Sequence, residues 1–310
     1  MSSTGHPSPK TAARSWIRRL LTADPPRAKS LVVTVFGDAI APYEDRIRLK
    51  SLIQLLEPFE VNERLARTSV FRLVKEDWLR GKRNGRESFY QLTESGRRRL
   101  WHAYEKIYER KVDAWNGTWT LIMIASAKFP PQCRKRLREE LEWEGFRQLV
   151  PHVFGHPRIP DNVLAELLDR EEVRGNVITF NDSKANQVPD LRQVIEQRWA
   201  IDSVVRRYRS FLQDFGRIQR LIAQPEALSP EQWFTIRILM IHAYRRAVLH
   251  DPLLPGDLLP YPWIGDDAYR LAGQIYRTSL PGSESYLRKV LLFDASRGAI
   301  KPTILAARFR

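Results

Sequence analysis

The chain has 310 residues, 43% of them hydrophobic, and a formal charge of +15. Such a length favours two or three domains over a single core, and the ordinary hydrophobic share excludes a disordered or fibrous chain. The charge points to a polyanionic partner, and no apolar run approaches the roughly 18 residues that span a bilayer, so no membrane partner is expected.

The basic excess is uneven: residues 1–112 hold 23 Lys/Arg against 13 Asp/Glu. Arg18-Arg19 interrupts the one apolar patch near the start, so no signal peptide is read there. Cys133 is the single cysteine, which excludes an intrachain disulfide and makes the cytoplasm the expected compartment.

Residues 1–27, rich in Ser, Pro and Arg, read as a disordered basic extension, with at most a short amphipathic turn around Trp16. Residues 29–40 (KSLVVTVFGDAI) predict a helix ended by Pro42. Residues 46–56 predict a second one, with Leu49, Leu52, Ile53 and Leu56 inward and Pro58 beyond its end. Asn62 is the N-cap of a third helix, its side-chain oxygen accepting an orphan amide of the first turn. At about 100° per residue Ala66, Val70, Leu73 and Val74 form an apolar stripe, while Arg64, Thr68, Arg72 and Lys75 gather opposite.

A hairpin follows, with Asn84-Gly85 as the two positive-φ residues of a type I′ turn. Arg80, Lys82, Arg83 and Arg86 crowd around that turn. Such self-repulsion is best explained by a polyanion. Helix, helix, turn, capped helix and basic hairpin is the order of a winged helix-turn-helix. The predicted DNA-binding residues are Arg64, Arg67, Thr68, Ser69, Arg72, Lys75, Arg80, Lys82, Arg83 and Arg86. Thr93 caps one more helix, to about Arg110.

The middle segment predicts strand 118–125, helix 130–144, strands 146–150 and 152–154, helix 161–169 and strand 172–180. This βαββαβ order is that of a ferredoxin-like sheet. From residue 190 the chain reads as helical, with helices at 191–223, 230–249, 267–279 and 283–292. Between the second and third lies DPLLPGDLLPYPWIG, too Pro-rich for a helix and too apolar for a linker. It predicts an ordered belt with Leu254, Leu258, Leu259 and Trp263 buried, and the basic tail after Phe293 reads as loosely held. The expected architecture is therefore α+β and multidomain. Its parts are the extension 1–27, a winged helix-turn-helix over 28–112, a ferredoxin-like domain over 113–188 and a helical C-terminal domain over 189–310.

Five stretches, SLVVTVFGDAIAP, RTSVFRLVKEDWL, NGRESFYQLTESG, WNGTW and HDPLLPGDLLPYPWIGDDAY, resemble the PaaX family, repressors of phenylacetate degradation operons. The resemblance spans nearly the whole chain after residue 28, with Asn116 standing where the family pattern has Asp; Asn keeps the turn chemistry. It implies a transcriptional repressor that binds double-stranded operator DNA as a homodimer and is released by phenylacetyl-CoA or a related acyl-CoA. The C-terminal domain would serve effector binding and dimerisation. An acyl-CoA needs cations for its phosphates and an apolar slot, and two clusters offer them: His242, Tyr244, Arg245 and Arg246, and Trp199 with Arg207.

No cofactor or catalytic residue is expected. His152 and His156 are spaced as zinc ligands on a helix, but Pro151, Gly155 and Pro157 forbid that helix, so no metal is predicted. The middle domain also resembles that of CRISPR integration endonucleases, which carry a metal-binding Asp at the exit of the first strand. Here the exit reads Ala125-Ser126-Ala127-Lys128. The alternative of a metal-dependent nuclease or RNA-processing protein therefore lacks its acidic cluster. A structural nucleoid binder would show neither operator preference nor ligand response.

Overall fold

The computed structural model describes residues 8–43, 46–109, 115–157, 159, 161–170, 172–184, 191–222, 227–291, 305 and 307–310. They form two compact units, one of residues 1–110, 208–248 and 265–310, the other of residues 111–207 and 249–264.

The first unit opens on helix α1 (Pro9–Ala23), capped by Ser8 with Pro9 at its first position. This corrects the reading of 1–27 as disordered; residues 1–7 lie outside the described residues. Ala13, Trp16, Ile17 and Leu21 fall on one buried stripe. The Trp16 ring meets Phe215 edge-on at 5.3 Å, and its indole N–H donates to the Asp214 carbonyl at 3.2 Å. Burial of Trp16 supplies what local propensity lacks.

Helix α2 (Ala28–Val35) runs on into a π-helical turn, Phe36–Ile40. Its β-branched residues remain helical because Leu31, Val32, Val33, Thr34 and Val35 are all buried, and tertiary packing overrides a weak propensity. Residues 46–48 are strand β1 (Arg46–Arg48), not the start of a helix; α3 is confined to Leu49–Leu56. A one-turn 3₁₀ segment ends at Glu60, which adopts φ 61°, and leads to α4 (Glu63–Lys75), β2 (Leu79–Asn84), β3 (Glu87–Leu92) and α5 (Glu94–Tyr108). The three strands are antiparallel in the order β1-β3-β2.

In the second unit β4 (Thr118–Ile124), α6 (Pro131–Trp143), β5 (Arg147–Val150), β6 (Val153–His156), α7 (Asp161–Leu168) and β7 (Val177–Lys184) follow one another. The antiparallel sheet has the order β5-β6-β4-β7. Leu137 and Leu141 of α6 and Leu164 and Leu167 of α7 share one core with Ile122, Ile124 and Phe154 of the sheet. Cys133 packs against that core, partly buried. The last strand starts later than expected, because residues 172–176 form a turn in which Gly175 takes φ 73°.

The expected helix 191–223 is broken into α8 (Leu191–Arg198), α9 (Ile201–Gly216) and α10 (Gln219–Ile222); Ala200 takes φ 48° at the first break. Helix α11 spans Pro230–Val248. The Pro-rich belt buries Leu254, Leu258, Leu259 and Trp263, as its apolar content demands. The two helices expected at 267–279 and 283–292 are one, α12 (Ile264–Leu291), which runs through Pro281. Its Gly282 lies so close to Trp233 that a Cβ there would meet the indole at 2.3 Å, so glycine permits the approach of α11. The chain end is held rather than loose: Leu305, Arg308 and Phe309 are buried, while residues 292–304 lie outside the described residues.

Candidate nucleic-acid interface

The candidate surface is built on α3, the turn after it, α4 and the β2–β3 hairpin. Asn62 starts α4 by accepting the Leu65 amide at 2.9 Å. Ala66, Ser69, Val70 and Leu73 face the core, packed with α2 and α3. Opposite them Arg64, Arg67, Thr68, Phe71, Arg72 and Lys75 are exposed. Val74, expected inward, lies at the rim and is 37% exposed. Ser69, also among the predicted DNA-binding residues, does not share that outer face. It is buried on the inward face beside Val70, a correction to its expected outward position.

Arg67 is tied to Glu63 one turn back at 2.6 Å, an exposed pair that a phosphate could exchange with at little cost. Arg64, Arg72, Lys82, Arg83 and Arg86 pair with no carboxylate among the described residues. The exposed Thr68 donates its hydroxyl to the Arg64 carbonyl at 2.9 Å.

The hairpin carries Arg80, Lys82, Arg83 and Arg86 in exposed positions with Glu87 as its single carboxylate. Its turn differs by one residue from the expected one. Asn84 is still paired with Glu87, so the central residues are Gly85 and Arg86, and only Gly85 has positive φ, 58°. Positive φ at the first central position alone is the type II′ pattern, which places Arg86 at the very tip. At the base of the hairpin the Gln91 carboxamide, turned with its oxygen toward Arg80, accepts from it at 2.6 and 2.8 Å. Arg46 and Arg48 of β1 stand over Phe89 at 5.5 and 5.7 Å, and sequence reasoning missed both because it read them as helical.

The other predicted cluster is structural. His242 Nδ1 lies 3.0 Å from the Thr34 hydroxyl, and burial, reinforced by the charges of Arg245 and Arg246, pushes its pKa down to about 3. Tyr244 is buried among Phe211, Phe309 and Tyr208. Arg245 donates to Thr34 Oγ1 at 2.9 Å and to the Ser30 carbonyl at 3.3 Å, and Arg246 pairs with Asp24. These groups seat α11 on α1 and α2. Trp199 is likewise buried, its indole N–H donating to the Gly145 carbonyl at 2.8 Å, whereas Arg207 is exposed. Trp199 and Arg207 belong to the second unit and the other four to the first.

A charged cluster that no sequence pattern announced lies inside the first unit. The Asp38 carboxylate accepts from Tyr108 Oη at 2.8 Å and from Arg308 at 2.9 Å. Its other oxygen lies 2.8 Å from Arg237 Nε, an ion pair without hydrogen-bond alignment. Arg237 also donates to Glu284 at 2.9 Å. Arg308 stands over the Tyr108 ring at 4.1 Å. The side chains of Asp38, Arg237 and Arg308 are each at most 1% exposed. Burial raises the pKa of Tyr108 and Tyr276, so both hydroxyls stay protonated; Tyr108 donates to Asp38, while Tyr276 accepts from Arg237 and Arg308.

Among the described residues no group of three or more His, Cys, Asp or Glu converges as a metal site, and no helix is long and apolar enough to cross a membrane. His152 lies in a turn with φ 65°, while His156 is buried at the end of β6 against Phe146.

Family models match along the chain: a PaaX-like protein over residues 27–96, a PaaX central Cas2-like domain over 112–194 and a PaaX-like C-terminal domain over 199–289. The transcriptional repressor PaaX of Escherichia coli is 35% identical over 280 residues, covering 88% of this chain and 87% of its own. That relative is a regulator rather than an enzyme. An uncharacterized protein from Mycobacterium tuberculosis aligns in structure with a TM-score of 0.49 at 20% identity, covering 76% of this chain and 89% of its own. With three domain models in register and that identity over most of both chains, the chain belongs to the PaaX family.

Proposed function

We propose that the chain is a transcriptional repressor of a phenylacetate catabolic operon, binding operator DNA as a homodimer and released by an aryl-CoA thioester such as phenylacetyl-CoA. The relative's description as a transcriptional repressor supports the regulatory role. The observation that carries DNA binding is the outer face of α4 with the hairpin. It gathers Arg64, Arg67, Arg72, Lys75, Arg80, Lys82, Arg83 and Arg86 in exposed positions, with few carboxylates to neutralise them.

In this reading α3, its turn and α4 form a helix-turn-helix and β2–β3 its wing. Helix α4 enters the major groove while Lys82, Arg83 and Arg86 neutralise phosphates. Arg64 and Arg72 supply forked donors for guanine edges. In the same reading the second unit is a ferredoxin-like domain, which its strand order β5-β6-β4-β7 supports. The acyl-CoA, in this reading, enters at a site other than His242 and Arg245, whose polar atoms are engaged with Thr34, and other than the buried Tyr244.

A gel shift of the protein on its own promoter, with and without phenylacetyl-CoA or free phenylacetate, tests the reading. Binding to promoter DNA that is lost with the thioester alone is expected. Failure to bind promoter DNA would sink it, and release by free phenylacetate alone would replace the CoA effector with a small acid.

A further inference from the structure

We infer that Phe71 reads the 5-methyl group of thymine in the operator, an inference that rests on the DNA-binding reading of α4. At about 100° per residue the direction opposite Ala66, Val70 and Leu73 is occupied by Arg64, Thr68, Phe71 and Lys75. Phe71 stands on that outer face, about 50° from its centre and between Arg67 and Arg64 on the wheel, and is 59% exposed. Its ring is covered only in part, by Lys75, whose ammonium lies 5.0 Å from the ring centre. The first unit already buries Ala66, Val70 and Leu73 on the other side of the helix, so Phe71 adds nothing to that core.

An aromatic ring set among Arg64, Arg67, Arg72 and Lys75 suits a surface that is both polyanionic and, at one point, apolar. The four cations repel a partner of their own sign, and the sole acid of α4, Glu63, is bound to Arg67. A second copy of this face would bring like charges together. The DNA major groove meets both demands, because the thymine methyl is the apolar group displayed at its base edges, between two rows of phosphates. Thr68, one turn before Phe71, is exposed on the same face.

The test compares operator duplexes made with thymine and with deoxyuridine, which lacks only the methyl, on the full-length protein and on Phe71→Ala. Alanine at this exposed helical position retains the helix. The unsubstituted protein should lose affinity on the deoxyuridine duplex by about four-fold for each methyl it contacts. Phe71→Ala should bind the thymine duplex more weakly and treat the two duplexes alike. If the unsubstituted protein binds both duplexes equally, or if Phe71→Ala still discriminates between them, Phe71 is not the methyl reader although DNA binding stands. Conversion of a dimer to a monomer by Phe71→Ala in sedimentation would also overturn the inference, by placing the ring between copies. Absence of any promoter binding would overturn both this inference and the reading beneath it.

Discussion

Replacing Asp38 with Asn removes the charge on which three elements of the first unit converge: the π-helical turn after α2, helix α11 and the chain end. The carboxylate lies 2.9 Å from Arg308 and 2.8 Å from Arg237, and it also accepts from Tyr108 at 2.8 Å. At an effective dielectric of about 20, a contact near 2.9 Å corresponds to roughly 6 kcal/mol of attraction. Most of that repays desolvation, and removing one partner of a buried pair costs about 3–5 kcal/mol, because the remaining charge is left uncompensated. Arg237 would keep its pair with Glu284, whereas Arg308 would lose the carboxylate it pairs with. The expected loss is thus about 3–5 kcal/mol, a large part of a typical total of about 5–15. Urea unfolding at pH 7.5, followed by circular dichroism, measures it. Glu284→Gln, at a position 16% exposed and paired to one arginine, should cost less than half as much. A loss below about 1 kcal/mol for Asp38→Asn at unchanged m-value would refute the assignment of the network as a structural keystone.

Three further outcomes follow from particular contacts. His242 has its pKa lowered to about 3 from an ordinary 6.5, so the folded state favours the neutral ring. Its contribution is complete above about pH 6.5 and is lost as pH falls, by about 2 kcal/mol at pH 5 relative to pH 8. His242→Gln should flatten that part of the urea-stability profile, and an identical pH dependence in both proteins would contradict the burial argument. A Cβ on Gly96 would stand 2.3 Å from the Trp78 carbonyl oxygen, so Gly96→Ala should lower stability by about 1–3 kcal/mol, read from the urea midpoint. In the wing, each of Lys82→Ala, Arg83→Ala and Arg86→Ala should reduce the slope of log K against log salt by about 0.9 for every phosphate contact removed. Equal weakening of operator and scrambled DNA is expected for these variants, and a loss confined to the operator would instead make them base readers.

The helix α4 and its hairpin were legible because their signals are local. Asn62 supplies the cap within three residues of the amide it satisfies, and the inward stripe Ala66, Val70, Leu73 repeats at helical spacing. The turn was displaced by one residue because pairing from Leu79↔Leu92 to Asn84↔Glu87 sets the register, and the Asn-Gly dipeptide does not. Strand β1 was read as helix because its reason to be extended is β3, more than 40 residues later. Phe71 was visible on the same helical wheel but attracts no notice when only cations are counted. The buried roles of His242, Tyr244 and Arg245 could not be read from one helix, since an aromatic-cationic cluster looks alike whether it lines a pocket or seats a helix.

What the sequence by itself determined is whatever depends on near neighbours and on composition: capped helices, the basic hairpin, the strand-helix alternation of the middle segment, the buried leucines of the Pro-rich belt and the positive charge of the N-terminal part. The motifs also carried the family. The tertiary structure alone decided which polar groups are spent inside the molecule. Helix α1 exists because Trp16 finds Phe215, and the chain end is held because Arg308 finds Asp38, 270 residues away. Both partnerships depend on desolvation and on charge compensation at a distance of a few ångströms, quantities set by the folded environment and absent from any local window of residues.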